Sequence, residues 1–181
     1  MYEFLEQQIK VIYKEDYKRL RTKTVLYGEI EGRWHTYLHL GLTADEIDQF
    51  EARTGTRFPL AYKEFLAYYN GCYLFDLLRM GGKELESYKG LSIEETTRST
   101  VDLQDIQEMY LRKRTPKEHF IFADSLVHNT YYVFDSSENV LEVDFRTKKV
   151  KRNRGTLGEF LLEIIEEGKE NLKNEVFFEF R

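Results

Sequence analysis

Apolar residues recur at helical spacing in several stretches of the chain. In residues 43–54, Ile47, Phe50 and Thr54 fall on one face of a helix. An aromatic stripe marks a second helix directly after it, formed by Tyr62, Phe65, Leu66 and Tyr69. The two stretches together predict a helical hairpin. The same spacing predicts amphipathic helices over residues 2–20, 101–109 and 156–168.

Start and stop signals delimit the predicted hairpin. Thr43 and Glu46 have the spacing of a capping box, in which each side chain pairs with the backbone N–H of the other residue. Gly55 can adopt the left-handed conformation that ends the first helix. Pro59 suits the first turn of the second helix, because its missing N–H would be unpaired there. Asn70-Gly71 is predicted to end that helix.

Short apolar runs between turn signals predict β-strands. The run at residues 33–40 places Trp34, Thr36, Leu38 and Leu40 on one side if it is a strand, and a helical turn is the alternative. The other predicted strands are residues 25–27, 73–78, 120–123, 131–134, 140–145 and a shorter one near 148–151. Helices set against a mostly antiparallel sheet predict an α+β fold.

The hairpin also carries a family resemblance. Its residues read L-T-x-x-E-I, E-x-x-x-G-x-x-F-P, Y-x-x-F-L and N-G, and this series resembles the opening of the SUKH superfamily. That group includes bacterial immunity proteins against polymorphic toxins and fungal regulators of cell-wall glucan synthesis. The motif residues that the resemblance implies to be structural are Thr43, Glu46, Glu51, Gly55, Pro59, Tyr62, Phe65, Asn70 and Gly71.

The resemblance continues through later segments of the chain. Residues 120–124, 132–135 and 155–161 look like the later strands and closing helix of the family, so the similarity covers about Leu40 to Gly168. It implies a SUKH-like domain over residues 41–168, an N-terminal extension over 1–40 and a C-terminal tail over 169–181. The tail has Val176, Phe177, Phe178 and Phe180, and we expect it to dock on the extension or on a partner.

Composition narrows the class of protein. The chain has 181 residues, of which 41% are hydrophobic and 33% charged, as in a soluble globular domain. The net charge of −5 argues against a nucleic-acid binder and fits a positively charged partner. The N-terminus lacks the apolar run of a signal peptide, and no stretch approaches a membrane span. We therefore expect a cytoplasmic protein without membrane contact.

Few residues suggest catalysis or a cofactor. His35 and His39 have the i, i+4 spacing of helical zinc ligands, but no third ligand accompanies them, and on a strand they would lie about 13 Å apart. Cys72 is the single cysteine and is expected to be a small buried residue. Serine-nucleophile and phosphate-loop motifs are absent from the sequence. The sequence predicts no catalytic residue, no metal and no cofactor.

Two groups of charged residues are candidates for contacts with a partner. The acidic group comprises Glu94, Glu95, Asp102, Asp105 and Glu108. Its simpler interpretation is an exposed, capped helix, whereas the family resemblance favours a surface that attracts a basic toxin. The basic group at residues 148–154 could contact phosphate, but lysines on a solvated edge strand are the favoured interpretation.

The sequence thus supports one main functional hypothesis. The chain is expected to be a non-enzymatic immunity protein, monomeric or homodimeric, that binds a cognate toxin domain, possibly a nuclease, and blocks its active site. The alternative is a regulatory or scaffolding adaptor of the cell-wall type. A third hypothesis is an enzyme that uses carboxylates or histidines whose arrangement the sequence does not show.

Overall fold

The computed structural model describes residues 1–111 and 119–178. Within them, nine antiparallel strands form one sheet in which each strand pairs with the next one along the chain. The strands are β1 (Tyr17–Arg19), β2 (Val25–Ile30), β3 (Arg33–Leu40), β4 (Tyr69–Leu74), β5 (Leu78–Met80), β6 (Phe120–Ser125), β7 (Thr130–Phe134), β8 (Val140–Asp144) and β9 (Val150–Asn153). The basic run at residues 112–114 and Pro116, which are expected to end the helix predicted over 101–109, lie outside the described residues, as does Phe180 of the tail.

Six helices in the described part of the chain surround this sheet and confirm the α+β fold. They are α1 (Glu3–Tyr13), α2 (Ala44–Thr54), α3 (Leu60–Tyr68), α4 (Ile93–Thr97), α5 (Leu103–Leu111) and α6 (Leu157–Lys173). No helix within residues 1–111 and 119–178 combines the length and apolar character needed to cross a membrane.

The helices divide between the two faces of the sheet. The main core lies on the face that carries Tyr27, Leu38 and Phe122, here called the first face, where α1, α2, α3 and α6 pack. Alternate strand residues point the other way. On this second face, α5 packs through Ile106 and Tyr110 over the strands β6 to β8. The second face is therefore covered by the two helices α4 and α5 and by loops.

The N-terminal helix is shorter than predicted. Helix α1 ends at Tyr13, and Lys14 has a φ of 55° that breaks the helical path. The next residues pair with β2 instead, since the backbone N–H of Gly28 donates to the carbonyl oxygen of Asp16 at 3.0 Å. The helix predicted over residues 2–20 is therefore wrong beyond residue 13, where strand pairing replaces it.

Strand β3 is extended throughout, but its side chains do not alternate as predicted. Leu38 lies in the main core, whereas Trp34 packs with Leu26 and Tyr37 on the second face. Gly28, with a φ of +67°, stands between the pairs Tyr27–Thr36 and Glu29–Trp34. The register of β2 and β3 is the same on both sides of Gly28, so a register shift does not account for the position of Trp34.

The apolar run at residues 73–78 is a hairpin and not one strand. The chain turns at Phe75 and Asp76, which both have a positive φ, of 54° and 61°. The turn is held in place because the Phe75 N–H donates to Thr36 Oγ1 at 3.1 Å. Asn70 and Gly71 are strand residues of β4, and α3 ends at Tyr68, one residue before the predicted end at Tyr69.

Two helices differ from the sequence prediction. Helix α4 was not predicted, although Ser92 and Glu95 form a full capping box at its start. Helix α6 does start at the predicted Thr156 capping box but continues past Gly168 to Lys173. Gly168 lies within α6 and faces the ring of Phe75, where a side chain would not fit. The predicted strands at residues 120–145 are confirmed, with ends shifted by one or two residues.

The C-terminal residues contact the N-terminal part of the sheet. The Phe177 ring lies 6.0 Å from the ring of His35, and Arg33 Nη2 donates to the carbonyl oxygen of Phe178 at 2.8 Å. The division of the chain at residues 41 and 168 stays a prediction. Strands β1 to β3 nevertheless belong to the same sheet as the rest.

Two glycines of α6 provide a test of the packing between this helix and the β4–β5 turn. A Cβ at Gly168 would overlap the Phe75 ring, whereas a Cβ at Gly158 would meet nothing within 4 Å. We expect Gly168→Ala to lower the free energy of unfolding by about 1–3 kcal/mol through overpacking. The control Gly158→Ala should raise it by up to about 1 kcal/mol. Urea denaturation measures both, and a stabilising Gly168→Ala would contradict this packing.

Candidate functional site

A row of paired residues crosses the second face of the sheet. Tyr37 pairs with Tyr73, Tyr73 with Arg79, and Arg79 with Asp124 across four adjacent strands. Asp124 then pairs with Tyr131 on β7. Residues directly opposite each other in a sheet have side chains close enough to interact. The row therefore places aromatic rings and a charge pair side by side.

This row forms the floor of a cleft of about 250 Å³. One wall of the cleft is the segment from the end of α4 to the start of α5, which contributes Thr97, Ser99 and Val101. Its lining includes Tyr37, Tyr73, Arg79, Asp124, Thr97, Ser99, Val101 and Leu126. Leu126 stands at its edge with 48% of its surface exposed. Apolar and polar groups thus meet in one concave surface.

Two tyrosines form the aromatic side of the cleft. The rings of Tyr37 and Tyr73 are stacked, with centroids 4.6 Å apart and planes 14° apart. The guanidinium of Arg98 lies over the Tyr37 ring, 5.6 Å from its centroid. Burial raises the pKa of Tyr37, and the charge of Arg98 opposes that rise. The Tyr73 hydroxyl donates to Asp76 Oδ1 at 2.9 Å, which fixes the orientation of its ring.

An ion pair forms the polar side of the cleft. Arg79 donates two hydrogen bonds to Asp124, from Nε to Oδ1 at 2.9 Å and from Nη2 to Oδ2 at 2.6 Å. The Tyr110 hydroxyl donates to Asp124 Oδ2 at 2.5 Å, which ties α5 to the same carboxylate. Burial lowers the pKa of Arg79, but the bonds to Asp124 outweigh it and the net shift is upward. This pair is therefore charged, rigid and internally satisfied.

Asp76 supports the cleft from the β4–β5 turn. Its carboxylate accepts from Arg33 Nη1 at 2.6 Å and from Nη2 at 2.5 Å, and His35 Nε2 lies 3.4 Å from its Oδ2. Burial acts to raise the pKa of Asp76, but the nearby His35 ring and the hydrogen bonds from Arg33 and Tyr73 outweigh it and hold the pKa at about 2. The turn is thus fixed by a buried ionised group.

The two histidines considered as metal ligands have different neighbours. His35 Nδ1 bonds with the Tyr13 hydroxyl at 2.6 Å. His39 Nδ1 bonds with Thr24 Oγ1 at 3.0 Å, and burial lowers the pKa of His39 to about 4. Among residues 1–111 and 119–178, no three histidine, cysteine or carboxylate side chains are grouped to hold a metal ion. Cys72 is buried, and burial raises the pKa of its thiol.

Three of the five predicted partner-binding carboxylates already have partners within the chain. Glu94 accepts from Lys18 Nζ at 2.5 Å and from Trp34 Nε1 at 3.1 Å. Glu95 is buried and accepts two bonds from Arg21, at 2.7 and 2.6 Å. These contacts attach α4 to β1 and β3.

The third paired residue, Asp102, lies at the start of α5, and the other two, Asp105 and Glu108, lie along that helix. Asp102 is buried, accepts from Arg53 Nη2 at 2.9 Å and accepts from the backbone N–H of Gln104 at 2.7 Å. Asp105 and Glu108 are exposed, and neither forms an ion pair with the residues that the structure describes. The structure therefore does not present the five carboxylates as one surface, and Asp105 and Glu108 are the two that are exposed without an ion pair to a described residue.

The family-motif residues hold the helical hairpin and its connection to the sheet. Thr43 and Glu46 form the predicted capping box, and Gly55 ends α2 with a φ of 66°. Glu51 accepts from the Phe58 N–H and from Lys63 Nζ, both at 2.6 Å, so it joins α2 to the start of α3.

The other motif residues act at the end of the hairpin. Pro59 stands before the first turn of α3, and Phe65 is fully buried in the main core. The hydroxyl of the buried Tyr62 donates to the carbonyl oxygen of Gly81 at 2.8 Å. Asn70 both donates to the carbonyl oxygen and accepts from the N–H of Lys83, each at 2.7 Å. Gly71 has a φ of 80°, and a Cβ there would lie 2.7 Å from the Met80 carbonyl oxygen.

The basic group forms an edge of the sheet, as predicted. Strand β9 is the last strand of the order and is exposed along its length. Lys151 lies 3.3 Å from Glu142, and Arg152 lies 2.8 Å from Glu163. Lys148 lies over the rings of Phe145 and Tyr131, at 4.6 and 5.0 Å. Much of this basic charge is therefore paired within the chain.

Sequence reasoning missed the cleft because it depends on the register of four strands. No local motif links Tyr37, Tyr73, Arg79 and Asp124. The Ser92–Glu95 capping box was a local signal that could have located α4 and thereby one wall.

Comparison with known families now identifies the class of this chain. The sequence profile of the SMI1 / KNR4 family (SUKH-1) matches residues 41–163, more than half of the chain. The chain belongs to this family. Its members are generally non-catalytic immunity or regulatory proteins, so membership supports one of these two general roles. A search of curated proteins gave no match.

The buried Asp76 predicts how the stability of this SMI1 / KNR4 family protein changes with pH. Its folded-state pKa of about 2 lies below the unfolded value of about 3.9, so the ionised carboxylate stabilises the fold above about pH 4, and this contribution is lost as the pH falls towards 2. We expect Asp76→Asn to lower the free energy of unfolding at pH 7 by about 2 kcal/mol or more.

Denaturation at pH 7, 5, 4 and 3 measures this effect. The stability gap between the original chain and Asp76→Asn should shrink as the pH falls below about 4. The control Asp48→Asn changes a carboxylate that is 76% exposed, and it should leave the stability nearly unchanged. A gap for Asp76→Asn that is constant across this range would contradict the assigned pKa.

Proposed function

We propose that the protein is a non-enzymatic immunity protein that binds a cognate toxin domain and blocks its active site. The observation that carries this proposal is the family match over residues 41–163. The motif residues within that match hold the fold together, as Glu51 and Asn70 illustrate. Partner choice then lies with surface residues outside the motif.

The charge of the chain supports a basic partner. The net charge is −5, and Asp105 and Glu108 present unpaired carboxylates within the described part of α5. A toxin that cleaves nucleic acid needs a basic surface for its substrate. An acidic inhibitor surface would speed association with such a toxin and compete with the substrate. We expect an interface of about 1,600 Å² of total buried surface.

A regulatory or scaffolding adaptor is the alternative that the same family match supports. The two roles differ in their partners. An immunity protein has one tight partner with a toxic domain, whereas an adaptor has several weak ones.

The test is affinity capture of the tagged full chain from its source organism, with nuclease treatment, followed by mass spectrometry. The C-terminal domain of a stoichiometric partner is then expressed alone and together with this chain. We expect growth arrest by the domain alone and growth when both are present. A captured domain that is not toxic, or recovery of several substoichiometric housekeeping proteins, would favour the adaptor.

Charge reversal tests the acidic part of the interface. We expect the double variant Asp105→Lys, Glu108→Lys to slow association with the captured toxin domain by about tenfold or more at low salt, and less at high salt. The control Glu166→Lys, Glu170→Lys makes the same change of charge on α6, which packs on the first face. Stopped-flow association rates measure both variants. Equal slowing by the two variants would show a general charge effect and no role for α5.

A further inference from the structure

The arginines around the cleft differ in one respect. Arg33 and Arg79 each donate two hydrogen bonds to a buried carboxylate, Asp76 and Asp124. Arg98 has no carboxylate within 4.0 Å among residues 1–111 and 119–178. Unlike Arg33 and Arg79, Arg98 therefore forms no ion pair with the described residues.

The position of Arg98 is nevertheless fixed. It is the C-terminal cap of α4, where its N–H donates to the Glu94 carbonyl oxygen at 2.9 Å. Arg98 is half-buried, and its guanidinium lies over the ring of Tyr37, 5.6 Å from the ring centroid. The neighbouring carboxylate of Glu94 is occupied by Lys18 and Trp34. An arginine that is held over an aromatic ring and lacks an acidic partner is well prepared to bind a carboxylate.

The size and lining of the cleft indicate which other group of the ligand would bind there together with the carboxylate. Its volume of about 250 Å³ lies below the roughly 300–1,000 Å³ of small-molecule sites, so it suits inserted side chains better than a whole cofactor. The stacked rings of Tyr37 and Tyr73 and the exposed Leu126 offer an apolar contact. Buried anchors in such pockets carry much of the energy of protein interfaces.

We propose that this cleft binds a segment of a partner protein that inserts an acidic side chain beside an apolar one. The carboxylate would bind Arg98, which lies over the Tyr37 ring between the lining residues Thr97 and Ser99, and the apolar side chain would pack against the Tyr73 ring and Leu126. The inference rests on the proposed function only in that the ligand is a protein.

This recognition complements the acidic surface of α5. Val101 lines the cleft and directly precedes Asp102 and α5, so the start of α5 borders the cleft, and Asp105 and Glu108 lie further along the same helix. The cleft selects an acidic residue, whereas α5 selects basic residues. Two neighbouring surfaces of opposite charge preference fix the orientation of a bound partner and disfavour partners with a different charge pattern.

The experiment selects ligands for the full chain from a phage-displayed library of 12-residue random peptides. We expect the enriched peptides to contain Asp or Glu next to an aromatic or aliphatic residue. Arg98→Glu should weaken the best synthetic peptide by at least about tenfold, and replacing the acidic peptide residue by Lys should restore binding to that variant. Amide resonances of Thr97 and Ser99 should shift when the peptide binds.

The control is Lys149→Glu, which makes the same change of charge at an exposed turn residue between β8 and β9. It should change peptide affinity by less than about twofold, and both variants should keep the circular dichroism spectrum of the original chain. Enrichment of peptides without an acidic residue, no enrichment over the Arg98→Glu chain, or equal effects of the two variants would overturn the proposal. A toxin-protection assay is independent of these outcomes, so failure of the immunity role and failure of the cleft can be told apart.

Discussion

A sheet of nine strands has two faces to cover, and this chain covers them unequally. Helices α1, α2, α3 and α6 bury the first face, and α6 alone spans 17 residues. The second face has only α4, of five residues, and α5, of nine, within the described part of the chain. The sheet residues between these two short helices therefore remain partly open. The cleft and the exposed carboxylates of α5 both follow from this unequal cover.

Ion pairs within the structure mainly connect one secondary-structure element to another. Glu95 and Arg21 attach α4 to the residues beside β1, Asp102 and Arg53 connect α5 with α2, and Asp76 fixes the β4–β5 turn. Buried pairs of this kind need both partners, because removing one leaves an uncompensated charge. The charged residues that remain available to a partner protein are therefore those that form no such ion pair within the chain.

Local features of the fold could be predicted from the sequence. The capping boxes at Thr43 and Thr156 depend on residues three positions apart, and both form as expected. The strands after residue 120 were equally clear because their apolar runs are bounded by turn residues. Trp34 could not be placed, since it packs with Leu26 and Tyr37, a contact that depends on the pairing of β2 with β3.

The candidate site was harder to predict for the same reason. Glu94 and Glu95 looked like free acidic residues, but their partners Lys18 and Arg21 lie more than 70 positions earlier in the chain. The cleft residues come from β3, β4, β5 and β6 and meet only in the folded sheet. Pairings over such distances depend on topology, which local patterns do not specify.

The central claim is that the second face binds the partner, and hydrogen exchange of the complex tests it most directly. The full chain is labelled in deuterated buffer alone and with the captured partner domain. We expect added protection in residues 97–110, together with β4 and β5, and unchanged exchange in α1 and α6. Protection confined to α1 or α6 would contradict the claim and place the interface on the first face.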